Sequence, residues 1–187
     1  MSSHISDRIR VGENVSFGKN VIIKDNVSIG DNVEIGDNVI IKEDVKIGDN
    51  CKILDSVILG KLPAVASMSA TTGASADLPP LTLGTFVTVG AGCILYGGAT
   101  IGDRVFFGDL ATLRENVFVG EGAIIGRGVT VENKVTIGKK TKIESNAYIT
   151  AFSTIDDYCF VAPGVTFTND NFVGRTEERK KHFAGPT

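Results

Sequence analysis

Residues 21–60 read VIIKDNVSIGDNVEIGDNVIIKEDVKIGDNCKILDSVILG, and the large apolar residues Ile23, Ile29, Ile35, Ile41, Ile47, Ile53 and Leu59 fall on every sixth position. Four residues after each comes a second, smaller apolar site, held here by Val27, Val33, Val39, Val45, Cys51 and Val57. A helical face repeats every 3.6 residues and cannot generate a strict six. The register extends back through Phe17 and Val11 to Ile5. After an interruption it resumes at Leu83 and runs through Leu95, Phe107, Leu113, Ile125 and Ile137 to Phe167. All three cysteines, Cys51, Cys93 and Cys159, occupy the smaller site, so packing explains them without chemistry.

Glycine usually follows the large residue, as at Gly30, Gly36, Gly48, Gly126 and Gly138, and Asn or Gly stands two residues later, as at Asn32, Asn38, Asn50 and Gly128. Both types accept left-handed backbone at little cost, so each hexad is expected to be a short strand plus a corner. A strand this short cannot bury its own apolar face. Consecutive units must therefore coil and stack at about 4.8 Å spacing, which makes the chain an all-β, single-stranded parallel β-helix. Coils are expected over residues 1–60 and 81–167 of one domain. Residues 61–80, KLPAVASMSATTGASADLPP, are rich in Ser, Ala, Thr and Pro and read as an inserted loop, either ejected from the solenoid or forming a distorted coil. Residues 168–187 read as a polar, charged loop or tail.

A net charge of -3 carries no basic footprint for nucleic acid and no polybasic membrane patch. The opening MSSHISDRIRVGEN lacks an apolar segment behind its charges, and no run of about eighteen apolar residues occurs. A cytoplasmic protein with neither nucleic-acid nor membrane partners is expected. The cysteines lack paired zinc spacing, and no metal site is expected.

Sorting the usual glycine position by eighteens gives three columns, one for each edge of the coil. Two are almost all Gly. The third holds Lys24, Lys42, Tyr96, Arg114, Glu132, Thr150 and Thr168, broken by Gly60 and the loop. One residue on stand Glu115, Asn133, Ala151 and Asn169, so Arg114–Glu115 and Glu132–Asn133 stack one coil apart, with Thr168–Asn169–Asp170 two coils further. This unlike edge is the candidate groove. A plain ladder of solvated side chains is the competing account of each residue taken singly.

The unit of large apolar, Gly, x, Asn, small apolar, x resembles the hexapeptide-repeat acyltransferase family over nearly the whole chain. The resemblance implies a left-handed coil of three hexads, against the right-handed crossovers of most parallel sheets, and a homotrimer with active sites between subunits. Residues 154–170, TIDDYCFVAPGVTFTND, with Glu178–Arg179–Lys180 and Gly185–Pro186–Thr187, resemble the nucleotide-linked amino-sugar N-acetyltransferases of that family. There Asn146, within ESNAYI, corresponds to an asparagine near the amino sugar, whereas an acidic residue a few positions later is replaced by Ala151. Further coils that follow this loop in the family carry much of its coenzyme A site.

The resemblance thus implies acetyl-CoA as donor and a sugar as acceptor, with Asn146 and His182 as catalytic candidates and Arg114, Glu115, Asn133, Asn169 and Asp170 binding the sugar. A hydroxyl acceptor needs a base with pKa near 7, while a neutral amine is already a nucleophile. Only His4 and His182 exist, and neither is expected to lie on a coil. That favours N-acylation. Sugar O-acetylation and a non-catalytic scaffold or oligomerisation module are the alternatives. A γ-class carbonic anhydrase would need three histidines on its zinc, and a sugar nucleotidyltransferase a nucleotide-binding domain before the coils.

Overall fold

A computed structural model describes residues 3–64, 78–169 and 185–187. Its strands are short, mostly two residues, and pair in parallel with the strand eighteen residues on, as Ile23 with Ile41, Leu113 with Val131 and Ile137 with Ile155, or thirty-six on across the insertion, as Ile47 with Leu83. Every third strand therefore joins the same sheet. Three eight-stranded sheets result, forming the sides of an eight-coil solenoid. We call sheet A the one that runs from His4–Ile5 to Tyr148–Ile149, sheet B the one from Arg10–Val11 to Thr154–Ile155, and sheet C the one from Ser16–Phe17 to Phe160–Val161. The fold is the expected left-handed parallel β-helix. Among the described residues there is no helix long and apolar enough to cross a membrane.

The core follows the hexad. Ile23, Ile41, Ile125, Ile137 and Ile149 are fully buried and Ile101 nearly so. Ile5, Val11 and Phe17 are on register but exposed, because among the described residues no coil lies beneath them. Cys51 and Cys93 are buried free thiols, and Cys159, in the last coil, is only half-buried. Burial pushes the Cys51 thiol up and that of Cys93 up to about 11, since neither could be ionised without desolvating a thiolate.

The two corner residues do different work, which corrects the single role expected for them. The residue two after the glycine does adopt the left-handed conformation, as at Asn32 with φ of 55° and Asn38 with φ of 59°. The glycine itself mostly does not. At Gly138 a side chain is excluded by the coil above, since a Cβ would lie 2.4 Å from the backbone of Asp156 and Asp157. Stacking at strand spacing leaves no room there. An aspartate ladder closes the same corners: Asp103 accepts from the Thr85 amide one coil below at 2.8 Å, and Asp109 from that of Ala91 at 2.9 Å.

The insertion is an ejected loop. Ile58 pairs with Ile40 below and Ile94 above, and Thr82 with Lys46 and Thr100, so the coil closes as if the intervening residues were absent. The loop leaves at the corner between sheets A and B, where a bulge separates Leu59 and Lys61. After the Thr166 bridge to Tyr148 the chain reaches the same corner again at Asn169. Sequence reading assigns 168–187 to a loop or tail; of its last residues, Pro186 lies against the coil, its carbonyl accepting from the Thr154 amide at 2.9 Å. Leu81 stands in the same relation to Lys46 after the first loop, also at 2.9 Å.

Candidate functional site

The edge between sheets A and B is the unlike column, with Lys61 near its lower end and Asn169 at its upper end. Lys61, Tyr96, Arg114, Glu132 and Thr150 follow strands of sheet A in successive coils, so their backbones are about 4.8 Å apart along the axis. Arg114 is the centre. Its Nε donates to Glu115 Oε2 at 2.9 Å and its Nη2 to Glu115 Oε1 at 3.2 Å, a two-pronged grip that a planar guanidinium makes and an ammonium cannot. Its Nη1 reaches Glu132 Oε2 at 3.4 Å. Asn133 donates from Nδ2 to Glu115 Oε1 at 3.2 Å.

Glu115 and Asn133 are buried, at 4% and 2% exposure, although the equivalent Asp31 on another edge is open to solvent. A buried carboxylate must be paired, and Glu115 is. Desolvation works against the Arg114 cation, but the Glu115 hydrogen bond and the charges of Glu115 and Glu132 outweigh it, so the guanidinium is held more firmly protonated than usual. Burial, with the Glu132 charge added, pushes the Tyr148 phenol up despite its hydrogen bond to Thr150, so this hydroxyl remains a neutral donor beside Glu132. Tyr96 completes the lower end, with Lys61 Nζ 2.7 Å from its hydroxyl and the Arg114 guanidinium 5.2 Å from its ring centre.

The structure brings together Arg114, Glu115 and Asn133 of the expected set. Asn169 lies on the same edge, where its Nδ2 donates to the Ala151 carbonyl at 3.1 Å. Asn146 does not join them. It is exposed at the corner between sheets C and A, one strand away, its backbone N–H donating to the Arg127 carbonyl at 2.9 Å. His182 and Asp170 lie outside the described residues. His4, expected outside the coils, is instead in the first strand of sheet A, paired with Ile22 because Ile5 beside it is on the hexad register; it is five strands below the strand preceding Arg114, about 24 Å along the axis. Tyr148 and Lys61 are the residues that sequence reasoning missed. Among the described residues, no group of three or more His, Cys, Asp or Glu side chains could hold a metal ion.

The described residues form a solenoid of hexads with one polar edge unlike the other two. The bacterial transferase hexapeptide model of six repeats matches residues 8–42, 26–61 and 134–169, and that for the hexapeptide repeat of succinyl-transferase matches residues 98–151. Together they span more than half of the sequence, and the chain belongs to the hexapeptide-repeat transferase family. No curated protein sequence matches it. Among solved structures it is similar to the UDP-N-acetylglucosamine acyltransferase LpxA of Bacteroides fragilis, at 20% identity and a TM-score of 0.82, covering 89% of this chain and 66% of that one. It is similar also to LpxA of Acinetobacter baumannii, at 20% identity and a TM-score of 0.79 over 90% and 66%. LpxA of Moraxella catarrhalis, a UDP-N-acetylglucosamine O-acyltransferase, follows at 20% and 0.54 over 89% and 67%. At this identity the likeness is one of fold, and the chain spans just under two thirds of the first two proteins.

Proposed function

We propose that the chain transfers a short acyl group, acetyl foremost, from acyl-coenzyme A to an amino group of a nucleotide-linked sugar. The observation that carries this is Glu132. Its carboxylate side chain is 21% exposed and is fixed from one side by Arg114, while Tyr148 meets it through its hydroxyl. A carboxylate so placed receives an N–H of an amine as the nitrogen attacks the thioester carbonyl. It is too weak a base to deprotonate a sugar hydroxyl efficiently at neutral pH. The Glu115 grip and the Asn133 amide hold Arg114 rigid, so most of the rate would come from orientation, with a backbone amide on the oxyanion. In this scheme Asn146 and Asn169 hold the sugar from the two corners of sheet A, with Asp170 and His182, outside the described residues, as the further sugar-binding and catalytic candidates.

The alternative acceptor is a sugar hydroxyl, the group that the Moraxella catarrhalis O-acyltransferase acylates. Incubating the chain with acetyl-CoA and either an amino-sugar nucleotide or its hydroxyl parent, and following release of the coenzyme thiol, separates the two. Release with the amine alone is expected, and Glu132→Gln should lower kcat/KM at least about tenfold, equivalent to about 1.4 kcal/mol. Release with the hydroxyl sugar alone would reverse the assignment of acceptor. Absence of acetyl-CoA binding in titration calorimetry would instead mark a scaffold.

A further inference from the structure

One residue past the column of Tyr96 and Arg114, the polar edge reads Asp25, Glu43, Lys61, Gly97, Glu115 and Asn133 in six successive coils. Acids or an amide hold this place on either side of the insertion, and only at Lys61 does its charge reverse. The bulge after Leu59 sets Lys61 beside Tyr96. Its Nζ donates to the Tyr96 hydroxyl at 2.7 Å and lies 4.5 Å from the centre of that ring. Arg114, on the same ring, has its charge matched by Glu115 and Glu132. Among the described residues no carboxylate forms an ion pair with Lys61. An ammonium has three donors, so this ordered cation keeps N–H groups for a ligand.

Gly97, next above, is not the glycine of close stacking. A Cβ there would lie 3.6 Å from the Leu62 side chain, an ordinary contact, against 2.4 Å from backbone at Gly138. The left-handed conformation belongs to its neighbour Gly98, with φ of 81°. Neither use of glycine in this fold accounts for Gly97. It borders a cleft of about 150 Å³ at the root of the insertion, lined also by Leu62, Pro79, Glu43 and Asp44. Apolar walls with carboxylate acceptors suit a ribose and its base, and repel a second anion.

We propose that Lys61, held on Tyr96, takes the diphosphate of the acceptor and so makes the site select a nucleotide-linked sugar over a free one. The inference rests on the acceptor proposed above. Lysine binds phosphate as a compact point charge, and a half-buried position strengthens the attraction relative to bulk water. Tyr96 and Glu132 are thirty-six residues, hence two coils, apart, about 10 Å along the axis. Where the amine lies across the sugar ring, about six to eight bonds of about 1.5 Å separate it from the two phosphorus atoms, a span of about 7–10 Å. With the amine at Glu132, the diphosphate falls at the Lys61 ammonium and the nucleoside reaches the cleft below. In acyl-coenzyme A about thirteen bonds separate the sulfur from the diphosphate, about 16 Å when extended, so a thioester at Glu132 carries its own diphosphate past Lys61.

Titration calorimetry with uridine diphosphate, and initial rates against the sugar nucleotide that is turned over and against acetyl-CoA, test this in Lys61→Gln and Lys61→Arg. Lys61→Gln should weaken uridine diphosphate binding and raise KM for the sugar nucleotide at least about tenfold, with kcat and KM for acetyl-CoA within about twofold of wild type. Lys61→Arg, which keeps the charge, should recover most of the affinity. Wild type that binds no uridine diphosphate at millimolar concentration, equal binding by wild type and Lys61→Gln, or a loss that falls equally on acetyl-CoA would overturn the inference, the last making Lys61 a brace of the loop root. Binding is read without transfer. A chain that binds uridine diphosphate through Lys61 but releases no coenzyme thiol would sink the proposed activity and leave the subsite standing, and transfer unaltered by Lys61→Gln would do the reverse.

Discussion

Replacing Glu115 by Ala removes the carboxylate that both anchors Arg114 and satisfies Asn133. The side chains of Glu115 and Arg114 are 6% and 20% exposed, so the pair is largely withdrawn from water. Stranding one partner of a buried pair costs about 3–5 kcal/mol. Here the guanidinium keeps Glu132 at 3.4 Å and some solvent, which lowers the expectation for Glu115→Ala to about 2–3 kcal/mol. Arg114→Ala strands the deeper group and should cost about 3 kcal/mol. Removing both leaves neither charge stranded, so the double variant should cost about 3 kcal/mol, which makes the two effects non-additive by about 2 kcal/mol. Urea unfolding at pH 7, with midpoint and slope fitted for all four proteins, measures this. Non-additivity below about 0.5 kcal/mol would mean that Arg114 and Glu115 do not act as a unit, and the rigid-edge account of the site would fail with it.

Other outcomes follow from the coil itself. At pH 8 a thiol reagent should modify Cys159 first and leave Cys51 and Cys93 unmodified in the native chain, as peptide mapping by mass spectrometry would show; equal labelling of all three would contradict the packing. The backbone amide and hydroxyl of Thr85 hold the Asp103 carboxyl below the usual carboxylate range. Its stabilisation is therefore present above a pH of about 3.9 and lost as pH falls through the lower folded-state pKa. Thermal midpoints between pH 5 and pH 2 should fall less steeply for Asp103→Asn than for wild type, and matching slopes would remove Asp103 from the account. Ile125→Asp should unfold the chain through an unpaired buried charge costing several kcal/mol, and a folded variant by circular dichroism would mean that this position does not face the core.

The fold was legible because a six-residue period over twenty-five large apolar positions leaves one geometry that can bury them. What the period leaves open is whatever does not repeat. The gap between Leu59 and Leu83 preserves the register for an ejected loop and for a distorted coil alike, and only the pairing of Ile58 with Ile94 decides between them. Glycine's two uses, close stacking and left-handed φ, leave the same letter in the sequence. The polar edge was legible for the same reason as the core, since Arg114, Glu115, Glu132 and Asn133 repeat at eighteen and so must stack. Tyr148 escaped because it occupies the outward strand position, a different place in the hexad, and meets Glu132 only through the reach of its ring. Lys61 escaped because the bulge sets it thirty-five residues from Tyr96 rather than thirty-six. Asn146 carries the opposite lesson: its distance from Arg114 is no multiple of eighteen, so a single chain has to place it on another edge. If both serve one acceptor, they reach it across sheet A. The outer face of sheet A then forms one wall of the site, and Asn146→Ala should lower kcat/KM at least about tenfold while leaving the urea midpoint where it was; an unaltered kcat/KM would take Asn146 out of the site.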